Sequence, residues 1–147
     1  MTIDQERYEK KLSRQINTFS SRLMSNAKWL KLFKVLCDQP ELAVEGYAID
    51  IFNLKPWWID LSSTEKFDQN FNSTGIKDVL PGGPLKFKEI RWIEFHLVRS
   101  KSNILKNRNG ERVVSDQNLN KIKGIFSSLG EFEIEESEDM IKLYGYK

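Results

Sequence analysis

The sequence predicts an α+β domain: a mainly antiparallel sheet of about five strands, with two N-terminal helices and one late helix packed on it. Three observations carry that expectation. Residues 86–98, KFKEIRWIEFHLV, form the densest aromatic and β-branched stretch of the 147-residue chain and read as a strand. Apolar residues recur at helical spacing in two early segments and one late one. The remaining strand-like segments come in pairs joined by short breaks, which makes hairpins and hence antiparallel pairing.

Taken in order, residues 3–24 place Tyr8, Leu12, Ile16, Phe19 and Leu23 on one stripe with no Gly or Pro between them, predicting a first amphipathic helix. That helix either docks on its own domain or serves as an arm, a partner-binding or homodimer-forming segment. The organisation read from this is residues 1–25 as an N-terminal helical segment and 26–147 as a single domain. Ser25 and Asn26 are N-cap residues for a second helix reaching about Cys37, with Trp29, Leu32, Phe33 and Leu36 at i, i+3, i+4, i+7. Its Lys28, Lys31 and Lys34 form a ridge that reads as a solvated face. Pro40 ends it by biasing the residue before it away from helical geometry.

Residues 45–53 and 57–61 alternate as strands around the Leu54-Lys55-Pro56 break. Residues 62–84 read as a long polar connection with scattered anchors at Phe67, Phe71, Ile76, Val79 and Leu80. A connection of that length in a compact domain is functional or mobile, so it is the expected partner-facing segment. The strand 86–98 follows the turn Pro81-Gly82-Gly83-Pro84. Neither of its faces is wholly polar, so it is expected in the middle of the sheet, packed on both sides, with Trp92 and Phe95 buried on opposite faces. After the basic segment of Lys101, Lys106, Arg108 and Arg112 and the Asn109-Gly110 turn, Ser115 or Asp116 caps a third helix that ends at Leu129 before Gly130. Residues 131–136 and 140–146 alternate around Ser137-Glu138-Asp139 as a closing hairpin, with Phe132 and Ile134 facing Ile141 and Leu143.

Composition narrows the function classes. Hydrophobic residues are 39%, charged residues 30%, and 23 basic against 21 acidic side chains leave a net charge of +2, a globular profile with no bulk attraction to nucleic acid or anionic membrane. Cys37 is the one cysteine, which leaves no internal disulfide and no thiolate metal cluster. The N-terminus lacks the apolar core of a signal peptide, and no apolar run approaches the roughly 20 residues of a membrane span. A reducing, bacterial-type cytoplasm is the expected setting.

No catalytic set, metal site or cofactor site converges in the sequence. His96 is the single histidine, two residues from Glu94 on one side of its strand, a pair with acid–base potential but no third member. Asp50, Asp60, Glu89 and Glu94 lie on or beside strands and are weighed for a divalent-metal hydrolase acting on nucleic acid. Glu89-Ile90-Arg91 and Glu94-Phe95-His96 lack the lysine such a strand carries. Pro81-Gly82-Gly83-Pro84 lacks the Lys-Ser/Thr of a phosphate loop and reads as a turn. Cys37 reads as a small buried hydrophobe.

Trp57 and Trp58 are more informative. Adjacent strand residues point to opposite faces, so a one-sided core accommodates one of them. The other requires a helix, a partner or a ligand, and tryptophan is enriched at interface hot spots. Trp57, Trp58, Phe67 and Phe71, with Lys101 and Arg108 of the basic segment, are the expected partner-binding residues.

Three stretches, Asn26-Ala27-Lys28-Trp29-Leu30-Lys31-Leu32-Phe33, Lys88-Glu89-Ile90-Arg91-Trp92-Ile93-Glu94-Phe95 and Ile141-Lys142-Leu143-Tyr144-Gly145-Tyr146, resemble an uncharacterised family of small bacterial proteins, a domain of unknown function. In type that family is similar to the immunity proteins that neutralise a cognate bacterial toxin. The resemblance covers the chain after residue 25 and implies no catalytic residues. The expected function is a non-enzymatic protein-binding module, of the immunity type, with a metal-dependent nuclease as the alternative.

Overall fold

The computed structural model describes residues 2–78, 84–99, 105–106, 112–113 and 116–147. Val79, Leu80, Pro81-Gly82-Gly83, Lys101, Arg108, the Asn109-Gly110 turn and Ser115 lie outside the described residues. The fold is α+β, as the sequence predicts. Its spine is a five-stranded antiparallel sheet of β1 (Val44–Asp50), β2 (Pro56–Leu61), β6 (Ile90–His96), β9 (Ile134–Glu136) and β10 (Met140–Tyr144), in the order β2-β1-β6-β10-β9. β6 is therefore the middle strand, paired with Ile93 opposite Ala48 on one side and Leu143 on the other.

One face of this sheet is the floor of the core. Ala48, Ile59, Leu61, Ile93, Phe95, Ile141 and Leu143 alternate onto it at the period of two that a strand imposes. Against them pack α2 (Asn26–Cys37), through Trp29, Leu32, Phe33 and Leu36, and α4 (Leu119–Leu129), through Ile122, Ile125 and Phe126. The Ser25 hydroxyl caps α2 by accepting the Lys28 N–H, and Asn118 caps α4 in the same way through Lys121. Asn118 replaces the expected Ser115 or Asp116. Gly130 follows α4 at φ 146°, in the region that favours glycine.

The first helix is shorter than its stripe suggests. α1 runs over Ile3–Ile16; residues 17–20 turn away from it, and residues 21–25 run on as a strap. The reason is tertiary: Ser21 exchanges backbone bonds with Lys147, and the Leu23 N–H reaches the Gly145 carbonyl at 2.8 Å. The Thr18 hydroxyl, turned back onto the Gln15 carbonyl, also competes with helical bonding. α1 docks on its own domain. Leu12, Ile51 and Tyr146 form a second, smaller core at the end of the sheet, joined by Tyr8, Ile16, Phe19 and Phe52. Gly145 is required there, because a Cβ would stand 2.6 Å from the Ile90 carbonyl oxygen.

The 62–84 connection is corrected most. Ser63 caps a short helix, α3 (Thr64–Asn70), and a small sheet of β3 (Phe71–Asn72), β4 (Gly75–Ile76) and β5 (Leu85–Lys86) follows. The Asn72 side chain, accepting from the Thr74 and Gly75 N–H groups, makes the β3–β4 turn. Phe87–Glu89 form a single 3-10 turn between β5 and β6, so the expected strand 86–98 is a two-residue strand, a turn and a seven-residue strand. β7 (Leu105–Lys106) and β8 (Arg112–Val113) pair with each other outside the main sheet. In the closing hairpin Leu143 faces Ile134 as expected, whereas Ile141 faces Glu136 and Phe132 packs on Phe126.

Candidate functional site

The second face of the sheet carries no helix from the main core. β6 is packed on one side, not on both, and this corrects the expectation for Trp92: Phe95 is fully buried while Trp92 is half-buried on the opposite face. Directly opposed residues of antiparallel strands share a face, so the register gives the composition of this surface. Trp58, Tyr47, Glu94, Lys142 and Glu135 make one cross-strand row. Ile49, Trp92 and Tyr144 make the row beside it. Asp60 lies opposite Glu45, and His96 opposite Met140.

These side chains are tied to one another. Glu94 accepts from both neighbours on its own strand, the Trp92 indole N–H at 2.8 Å and His96 Nε2 at 2.9 Å. The Trp58 indole N–H donates to Glu45 at 2.8 Å. The Tyr144 hydroxyl donates to Glu135 at 2.6 Å, and this bond, with some loss of hydration, pushes its pKa up to about 12. Lys142 lies 4.4 Å from the Trp92 ring centre and 5.7 Å from that of Tyr144, and the Tyr47 ring meets His96 edge-on at 5.3 Å. The result is a half-exposed array of aromatic rings interleaved with carboxylates.

Gln117 holds the margin of this face together. Where the β1–β6 ladder ends, its amide takes the place of the missing rung. Oε1 accepts the Glu45 N–H at 2.8 Å, and Nε2 donates to the Glu45 and His96 carbonyls at 3.1 and 2.7 Å. Its own N–H reaches the Leu97 carbonyl. Nothing in the sequence marks it, since a single glutamine before a helix has no periodicity to read.

Of the residues expected at a partner site, the structure separates Trp57 from Trp58. Trp57 turns to the covered face beside the main core, its indole N–H buried without a hydrogen-bond partner among the described residues and Lys55 4.8 Å from its ring centre. Trp58 is on the open face. Phe71 is buried, ringed by Phe33, Phe67 and Phe87, so it is core, with Phe67 half-buried at its edge. Tyr47, Trp92, Lys142 and Tyr144 complete the face and were read from the sequence only as strand residues.

No protein-family model, no curated protein and no solved structure matches this chain. The site therefore stands on its own geometry.

The residues weighed for metal chemistry are spread out. The Asp50 carboxylate accepts the Phe52 and Asn53 N–H groups in the turn after β1, and Asp60 accepts the Ser62 N–H and hydroxyl. Glu94 and His96 form a pair without a third ligand. Among the described residues no group of three His, Cys, Asp or Glu side chains is placed to hold a metal ion. Cys37 is fully buried, and burial pushes its thiol up to about 12, which keeps it protonated and unreactive. Among the described residues no helix is long and apolar enough to cross a membrane.

Proposed function

We propose that the protein is a non-enzymatic binding module that docks a protein partner on the open face of its five-stranded sheet. One observation carries the reading: Tyr47, Trp58, Trp92 and Tyr144 of this face stay half-exposed, although the helices of the same fold fully bury Ala48, Ile93, Phe95 and Leu143 at the centre of the opposite face. Tryptophan and tyrosine give a large, stiff contact area at low conformational cost, and clusters of them at the centre of a surface dominate binding energy where they occur. The narrower form, an immunity protein for a cognate bacterial toxin, draws on the resemblance of the three motifs above and on the lack of a converging catalytic set.

The test is calorimetric titration against proteins encoded beside this chain's gene, with a toxin as the first candidate. Trp58→Ala and Trp92→Ala are each expected to weaken binding at least about tenfold, or about 1.4 kcal/mol. The covered-face variant Trp57→Phe should bind as wild type. Wild-type affinity in both open-face variants would end the proposal.

A further inference from the structure

We infer that the partner presents a cationic surface, arginine or lysine side chains that seat against the rings and carboxylates of the open face. The inference rests on the proposed docking role of this face and says what chemistry fills it.

Four donors of the face are already spent. Trp58 Nε1 gives its hydrogen to Glu45, Trp92 Nε1 and His96 Nε2 give theirs to Glu94, and the Tyr144 hydroxyl gives its own to Glu135. Trp92 already holds Lys142 and Arg91 at 4.4 and 5.1 Å from its ring centre, so the further lone pairs of Asp60 and Glu135 and the rings of Trp58 and Tyr47 are what an incoming partner meets, and both accept positive charge. Lys142 shows the geometry within the chain, its ammonium seated over Trp92 and close to Tyr144. Among the described residues of the face, the half-buried or exposed carboxylates Asp60, Glu94 and Glu135 outnumber the Lys142 ammonium and the Arg91 guanidinium, which lies 5.1 Å from the Trp92 ring centre.

The same charges argue against other occupants. A nucleic-acid phosphate or an anionic lipid would meet carboxylates instead of cations. A second copy docked face to face would oppose like charges. Guanidinium groups fit best, because a planar fork bonds a carboxylate while lying flat on an indole.

The probe is a capped alternating Gly-Arg octapeptide, titrated into the full-length protein and followed by backbone-amide and indole N–H resonances. Its Gly-Glu counterpart and an oligodeoxythymidylate serve as the comparison ligands. The Gly-Arg peptide is expected to shift the Trp58 and Trp92 indole signals and the amides of residues 45–49 and 92–96. Its affinity should fall several-fold between about 50 and about 200 mM NaCl, as for exposed charge pairs, and at least about threefold in the Asp60→Asn, Glu94→Gln double variant. The other two ligands should leave these signals in place. Shifts by the acidic peptide or the oligonucleotide of equal size would overturn the inference, as would a Gly-Arg peptide that moves no signal on this face.

A natural partner separates the two levels. If binding is lost in Trp58→Ala but is insensitive to salt and to the Asp60→Asn, Glu94→Gln pair, the face docks a partner and the cationic assignment is wrong. If Trp58→Ala and Trp92→Ala both bind as wild type, the docking role itself is wrong.

Discussion

The two faces of one sheet are built from the same strands, and the one that stays open carries more large rings, Tyr47, Trp58, Trp92 and Tyr144 against Trp57 and Phe95. On β6, Ile93 and Phe95 point into a core that α2 and α4 close, and both are fully buried. Between and beside them on the same strand, Trp92, Glu94 and His96 point the other way and stay half-exposed. Hydrophobicity alone does not separate the faces. Polar tethering does: each open-face indole bonds a carboxylate, Trp58 the buried Glu45 and Trp92 the half-buried Glu94, whereas the rings of the core face bond none. Trp57 and Trp58 repeat the contrast on β2, the first beside the core with an N–H unsatisfied among the described residues, the second bonded to Glu45.

Substitution should widen that contrast. Phe95→Ala removes a fully buried ring that packs on Phe126 and is expected to cost about 4 kcal/mol by denaturant unfolding. Trp92→Ala, three residues away on the open face, should cost about 1 kcal/mol, the scale of surface-exposed packing and cation–π contacts. Equal losses would mean that the second face is as much a core as the first. Gln117→Leu should cost about 2–3 kcal/mol, because it removes three hydrogen bonds to backbone groups of Glu45 and His96 made by a buried side chain. It should also loosen the Glu45 and His96 margin of the open face, seen as faster amide exchange there than in the β6–β10 pairing. A loss below about 0.5 kcal/mol, the range of neutral surface changes, would show that water replaces the amide.

The smallest effect concerns pH. Tyr144 holds its proton more tightly when folded, to about 12 against an ordinary 10.0, chiefly through its bond to the Glu135 carboxylate. Its contribution to stability is therefore complete below pH 10 and is lost as the pH rises towards about 12. Tyr8 is raised in the same direction, first by burial and then by its 2.5 Å bond to Glu89. The difference between wild type and Glu135→Gln isolates Tyr144. Urea midpoints should fall less steeply in the variant across that window, and parallel curves would show that the bond does not form in solution.

Much of the architecture was legible because it depends on period. The stripes of α2 and α4 and the alternation of β1, β2 and β10 follow from burying one side of a regular element, and each appears near its expected bounds. The 62–84 region was not legible, because α3 holds one apolar residue of note, Phe67, and β3, β4 and β5 are two residues each, too short for any period. The end of α1 was hidden for another reason: residues 17–25 keep a helical pattern in Phe19 and Leu23 while Gly145 and Lys147, far away in sequence, take their backbone bonds. At the candidate site the sequence singled out Trp58 through its adjacency to Trp57 but passed over Tyr47, Trp92, Lys142 and Tyr144, whose association depends on register.

What the sequence determined by itself was the class of fold, the central place of β6 and the fact that one of two adjacent tryptophans must leave the core. Local periodicity and the alternation of side chains along a strand are enough for each of these. Tertiary structure alone decided which tryptophan leaves, which face stays open and which carboxylates stand beside which rings. Those outcomes depend on strand order and register, and on where α2 and α4 come to rest. The pairing of β1 with β6 joins residues 40 or more positions apart, as with Tyr47 and Glu94, and no window of neighbouring residues contains it.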